Sequence, residues 1–245
     1  MENKVIILGI NHESTLGFVR CFGEEGIRPI CVMYGTDEGL VFASKYPSVK
    51  HFEETTEGCL EYIISNYCNI TPKPFLFGSN DESASVINKN YNRLKEHFII
   101  ESAKDTEGEI VRLMDKWAIY QIAEKHGLKV AKTILIKRGE RLPEDIDYPV
   151  FTKSMRTIDG GKSDEKICRN EGELNCFLEQ CHADSIMAQR FIEKKEEFNY
   201  YGFSCNGEVF IPYENHRPRF SDGALSGYHI FVPAERNDLY TLVSR

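Results

Sequence analysis

The sequence predicts an α/β fold that turns to α+β in its second half, on three observations. Val5-Ile6-Ile7-Leu8 is a continuous apolar run closed by Gly9, and Ile30-Cys31-Val32-Met33 is another, with a helical stretch between them. Apolar runs joined through a helix are the pattern of a parallel sheet buried on both faces, with a right-handed crossover. Residues 148–170 read as strand, glycine-containing loop, strand. Finally, residues 199–204 and 208–213 flank Asn206-Gly207, a pair that favours a two-residue hairpin turn.

The remaining elements follow in order. Ser14 is placed to cap a helix running through Phe22, which Gly26 stops. A helix over 57–66 and a strand at Phe75-Leu76-Phe77 continue the alternation. The turn from Gly78 to Ser83 then lies at a strand's carboxyl end, where open α/β sheets take ligands. Backbone N–H groups at Ser14 and near Ser83 either bind an anion or are capped by side chains. Phe98-Ile99-Ile100 closes this layer. Over 106–127 apolar residues recur at helical spacing, with a break at Asp115-Lys116 and Gly127 as the stop. A strand is expected over 131–136, an amphipathic helix over 171–181 with Leu174, Phe177 and Leu178 on one face, and a strand over 186–192. The pattern shifts near Gly127 and again around Glu193.

Composition narrows the function. A chain of 245 residues with 41% hydrophobic and 28% charged residues can bury a sizeable core. A net charge of −8 argues against nucleic acid or an anionic membrane as the main partner. No apolar run approaches a membrane span, and Met1-Glu2-Asn3-Lys4 leads straight into a strand, so a cytoplasmic protein is expected. The eight cysteines include no CxxC pair, and Cys181-His182 with Cys176 lacks zinc-ligand spacing. No metal ligand is assigned.

The chemistry concentrates in 148–170. Pro149, Val150 and Phe151 deliver Lys153 at the end of a buried strand, where a cation is costly unless it meets an anion. Gly160-Gly161 allow the backbone to approach a ligand closely, and Lys162 adds a second cation. Two lysines flanking a glycine loop make a polyphosphate clamp; the alternative is a hairpin whose loop happens to be basic. Gly161-Lys162-Ser163 matches the tail of a Walker A loop, but Arg156 occupies the earlier glycine position and a strand follows, which excludes it. The turn from Gly9 to Ser14 is not GxGxxG, so no dinucleotide site is assigned.

Taken together, Asp115-Lys116 before AEKHGLKVAKT, then YPVFTK, the loop ending GGK, QRFIE and a later acidic residue with a hairpin resemble the ATP-grasp superfamily. That superfamily includes biotin carboxylase, carbamoyl phosphate synthetase and D-alanine–D-alanine ligase. The similarity is greatest to carboxylate–amine ligases of the D-aspartate ligase type. The resemblance implies a Rossmann-like pre-ATP-grasp domain over 1–112, followed by an incomplete ATP-grasp fold: a small subdomain with a helical linker and the glycine loop over 113–192, and the start of the C-terminal subdomain over 193–245. It assigns ATP phosphates to Lys116 and Lys153, and a closing loop to Gly160, Gly161 and Lys162. The adenine hinge falls on Gln189, Arg190, Phe191 and Ile192, and the ribose hydroxyls on Glu197 or Glu196. Arg217 and Arg219, read as an irregular segment after the hairpin, are candidates for the γ-phosphate or an acyl phosphate, or else are exposed surface arginines.

The implied reaction is ATP-dependent joining of a small carboxylate or amino acid to an amine or thiol, with the loops at 11–14 and 79–82 as possible substrate contacts and a homodimer as a possible state. Magnesium is expected of the family, yet no Glu-x-Asn pair stands on a late strand: Glu214-Asn215 is adjacent rather than spaced. The expectation is therefore a C-terminally truncated ligase with weak nucleotide binding and little turnover. The alternatives are a non-catalytic nucleotide-binding or scaffold module, and a Rossmann-like binding domain with a helical appendage.

Overall fold

The computed structural model describes residues 3–155, 165–194, 196–217 and 229–243. The chain divides into two compact units: Met1–Ile122 with Ser154–Ser163, and Ala123–Lys153 with Asp164–Arg245.

The first unit is a five-stranded parallel sheet in the order β3-β2-β1-β4-β5. Its strands are β1 (Val5–Ile10), β2 (Ile30–Tyr34), β3 (Val49–Glu53), β4 (Phe75–Gly78) and β5 (Ile99–Ile100). The helices are α1 (Glu13–Glu24), α2 (Leu40–Ala43), α3 (Thr56–Tyr67), α4 (Asp81–Lys89), α5 (Tyr91–Leu94), α6 (Glu109–Leu113) and α7 (Lys116–Lys125). Strand alternation divides the core between the two faces. Ile6, Leu8, Ile30, Val32 and Leu76 pack with Cys59, Leu60 and Ile63 of α3 and Val86 and Ile87 of α4. Val5, Ile7, Cys31, Met33 and Phe77 pack with Val19 of α1 and Val41 of α2. Both faces are covered, which is why the strands read as unbroken apolar runs. Edge strand β3, sequence VKHFE, is half-buried and carries no such run, so its sequence gave no strand signal.

Local chemistry sets the helix ends. His12, not Ser14, caps α1, its Nδ1 accepting from the Ser14 N–H at 3.3 Å. Asn80 and Ser83 form a reciprocal capping box on α4, so capping accounts for the N–H of Ser83. Asp115 Oδ1 accepts from the Ala118 N–H at 2.9 Å, which starts α7 where the break was expected. Gly127, at φ +73°, ends that run. Asn88, 1% exposed, ties α4 to α6: its Oδ1 accepts from the Ile110 N–H at 3.0 Å and its carbonyl from the Gly108 N–H.

The second unit holds two sheets. One is four-stranded, in the order β6-β9-β7-β8, from β6 (Thr133–Lys137), β7 (Val150–Ser154), β8 (Lys166–Cys168) and β9 (Ser185–Arg190). Helix α8 (Glu171–Gln180) covers one face, packing Leu174 and Phe177 against Ile136, Val150, Cys168, Ile186 and Ala188. Cys181 belongs to this core. The other sheet is antiparallel, β10 (Glu197–Cys205), β11 (Glu208–Arg217) and β12 (Ile230–Pro233), followed by α9 (Asp238–Val243). Asn206 and Gly207 turn the β10–β11 hairpin at φ +51° and +81°, both left-handed as a type I′ turn requires. Among the described residues, no helix is long and apolar enough to cross a membrane.

Gly78 illustrates how tightly the first unit is assembled. A Cβ there would lie 2.3 Å from the Ala84 backbone nitrogen, and the rigid first turn of α4 cannot yield as a side chain would. Gly78→Ala is expected to destabilise the chain by about 1–3 kcal/mol, read as a lower denaturation midpoint with an unchanged slope.

Candidate nucleotide site

Alternation on β7 and β9 builds the site from the face that α8 leaves open. Val150 and Thr152 point into the sheet core side, and Phe151 and Lys153 point the other way. On β9, Ile186 and Ala188 face α8, which leaves Gln189 on the open face. A cavity of about 550 Å³ lies there, lined by Phe151, Lys153, Ile167, Gln189, Phe191, Ile192, Glu197 and Arg217, with Glu165, Lys166, Arg190 and Lys194 also contributing. The volume is within the range of small-molecule sites.

The cation in this cavity is held on two sides. Lys153 Nζ donates to Gln189 Oε1 at 2.9 Å and stands 5.5 Å from the centre of the Phe151 ring. The Gln189 amide nitrogen donates to Thr133 Oγ1 at 3.0 Å. Arg190, by contrast, points its guanidinium to the Asp147 carboxylate. The backbone N–H groups of Arg190 and Phe191 donate to the Lys132 and Pro149 carbonyls, both at 2.8 Å. These two N–H groups thus serve the sheet, a commitment that a strand pattern in sequence does not reveal.

Glu197 and Arg217 close the cavity from the second sheet. They are register partners at the ends of β10 and β11. Arg217 Nη1 is 3.5 Å from Glu197 Oε1, and Lys194 Nζ is 2.6 Å from Glu197 Oε2. Hydrogen bonding from Lys194 holds the Glu197 carboxyl below its usual range; burial opposes this, and the charges of Lys194 and Arg217 reinforce it. Arg217 corrects an expectation. It is the last residue of β11, only 9% exposed, rather than part of an irregular segment or a surface arginine. The strand extends past Tyr213 because Tyr213 to His216 pair with β12 as well as with β10. Of the two glutamates considered for the ribose, Glu197 lines the cavity and Glu196 is exposed.

Lys116 is the first residue of α7 in the first unit; its ammonium donates to the Ser154 carbonyl at 3.3 Å and its N–H to the Met155 carbonyl at 3.0 Å. Gly160, Gly161, Lys162 and Arg219 lie outside the described residues.

Among the described residues, Glu214 and Asn215 do not converge on one point as a pair of magnesium ligands would. Glu214 and Asn215 are consecutive on β11, so their side chains leave opposite faces of the sheet. Glu214 bonds His216 at 2.8 Å, whereas Asn215 bonds Asn199 and Tyr201. Among the described residues no group of three or more His, Cys, Asp or Glu side chains could hold a metal ion.

Comparison with solved structures identifies the fold. The L-amino acid ligase from Bacillus licheniformis aligns over 99% of this chain and 57% of its own, at a TM-score of 0.72 and 14% identity. The N5-carboxyaminoimidazole ribonucleotide synthetase from Thermotoga maritima aligns over 100% and 59%, at 0.65 and 15%. The N5-carboxyaminoimidazole synthase from Aspergillus clavatus, solved with ADP and 5-aminoimidazole ribonucleotide, aligns over 99% and 60%, at 0.66 and 12%. The chain has the fold of the ATP-grasp ligases, as the order of its motifs implied. It spans rather less than two thirds of the length of these three proteins. No family model and no curated protein matches it in sequence.

The Glu197 cluster predicts a pH dependence. A carboxyl whose folded pKa is depressed stabilises the fold above its unfolded pKa, and that contribution is lost as pH falls through the folded value. Glu197→Gln should therefore lower stability at neutral pH by up to about 1 kcal/mol, the upper end for a partly exposed pair. The difference should begin to shrink as pH falls below about 4.3 and vanish once Glu197 is protonated in the fold, measured by denaturant unfolding at neutral and at acid pH.

Proposed function

We propose that the cavity of the second unit binds ATP, and that the chain is the nucleotide-binding part of an ATP-dependent ligase joining a small carboxylate to an amine or thiol. The observation that supports this most is the meeting of Lys153, Gln189, Phe191, Ile192, Glu197 and Arg217 around one cavity. Lys153, Gln189, Glu197 and Arg217 come from strands of two sheets, Phe191 and Ile192 from the segment after β9, and all six were singled out in the sequence. The Aspergillus clavatus relative in fold, solved with ADP, supports the choice of nucleotide.

Each side chain has a task suited to its surroundings. Phe151, Ile167, Phe191 and Ile192 offer apolar surface to a base, which stacks on aromatic and aliphatic groups with little dependence on hydrogen bonding. Glu197, kept ionised by Lys194 and Arg217, accepts hydrogen bonds from ribose hydroxyls on its remaining lone pairs. Lys153 offers a compact positive charge to phosphate oxygens, and Arg217 a planar fork for the same oxygens or for an acyl phosphate. The resemblance assigns further phosphate contacts to Lys116, Gly160, Gly161 and Lys162. ATP supplies the phosphoryl group: its transfer to a carboxylate oxygen releases ADP, and attack of the amine or thiol on the acyl carbon then expels phosphate. Positioning and charge complementarity carry such a reaction, so no protein nucleophile is needed.

Calorimetric titration with ATP tests the reading. The native chain should bind, and Lys153→Ala should bind at least about tenfold more weakly, the loss expected for a charge-assisted contact. Equal affinity in the two proteins would sink the assignment of this cavity. ATP-dependent phosphate release with a small carboxylate and an amine separates a ligase from a module that binds nucleotide without turnover.

A further inference from the structure

A hydrogen-bonded row of three side chains, Thr133, Gln189 and Lys153, crosses the open face of the four-stranded sheet. Thr133 and Gln189 are direct partners across β6 and β9, and β7, carrying Lys153, is the next strand over. Thr133 Oγ1 donates to the Ala131 carbonyl at 2.8 Å, so its hydroxyl proton is committed and its lone pairs face Gln189. Thr133 can then act toward Gln189 only as an acceptor. That fixes the glutamine amide: nitrogen toward Thr133 at 3.0 Å, oxygen toward Lys153 at 2.9 Å. A flipped amide would set an N–H group against the lysine ammonium and an oxygen against a hydroxyl with no proton to give.

We propose that Thr133 is a positioning residue for nucleotide binding: through the orientation of the Gln189 amide it holds the Lys153 ammonium at the point where phosphate binds. This rests on the ATP reading of the cavity and adds to it a residue that does not line the cavity and that closes the AEKHGLKVAKT segment without a role assigned to it there. Thr133 is 7% exposed and its hydroxyl sits one side chain removed from the cation. Preorganisation is the reason for such a relay. A lysine side chain has much rotamer freedom to lose on binding, and an oriented acceptor takes part of that loss before the ligand arrives.

A double-mutant cycle with ATP as the probe tests the relay in the full chain. Thr133→Val keeps the shape and β-branching of the side chain and removes the hydroxyl; it should weaken ATP binding about fivefold, one hydrogen bond's worth. Thr133→Ser restores the hydroxyl and should bind as the native protein does. In a Lys153→Ala background, Thr133→Val should cost nothing further, because the group it positions is gone. The relay is overturned if Thr133→Val binds ATP as tightly as the native protein while Lys153→Ala does not. It is equally overturned if the loss persists in full without Lys153, or if Thr133→Ser fails to restore binding. A Lys153→Ala variant with undiminished affinity overturns the ATP reading itself, and the relay with it, so the two failures are told apart.

Discussion

The site in the second unit depends on one constraint, the two-residue period of a β-strand. Val150 and Thr152 are committed to the side of β7 that packs beneath α8, so Phe151 and Lys153 have no choice of face. The same alternation on β9 sends Ile186 and Ala188 into the core and Gln189 outward. A one-residue slip in β7 would turn the lysine toward Leu174 and Phe177 and expose the core, and one in β9 would do the same with Gln189. The apolar packing of α8 is thus what holds the cation in the cavity, at no separate cost in stability to the ligand face.

The second sheet obeys a comparable rule through its turn. Asn206 and Gly207 take the left-handed conformations of a tight hairpin, which sets the pairing of β10 with β11. A register shift between Tyr201 and Phe203 interrupts the ladder at Gly202, where any Cβ would strike the Phe210 carbonyl oxygen. From there the pairing runs uninterrupted to Glu197 and Arg217, so the turn and the bulge together decide that these two charges meet. Each charge then conditions the other. Arg217 is almost buried and needs an anion nearby, and Glu197 is kept ionised partly by its presence.

In the first unit the strand order β3-β2-β1-β4-β5 places the change of direction between β1 and β4. Ligands of open α/β sheets favour the crevice beyond the strand ends at that point. Here it is densely bonded within the protein. Thr15 and Ser79 share a hydrogen bond at 2.8 Å, and Tyr34 links Asn80 to Glu82. The Asn11 side chain serves the Val41 N–H at 2.8 Å. These contacts engage Asn11, Ser79, Asn80 and Glu82 of the loops at 11–14 and 79–82.

The sequence by itself determined the classes of element and their order. Apolar runs too long to be amphipathic marked β1, β2 and β4 as strands buried on both faces, and Asn206-Gly207 marked a hairpin. The helical break at Asp115-Lys116 and the strand that carries Lys153, which runs one residue further to Ser154, were legible for the same reason: each is a local consequence of propensity, capping or periodicity. Only the tertiary structure decided what depends on a neighbour. Val49–Glu53 becomes a strand because β2 offers it an edge, although its own pattern is mixed. Arg217 becomes a buried, paired residue because β12 pairs with the end of β11. Glu197 is distinguished from Glu196 by which of them faces the cavity, and Thr133 is tied to Lys153 only through a glutamine on the strand between them. Long-range pairing carries no signature at the residue that receives it, since the free energy that selects it is shared between segments distant in the chain.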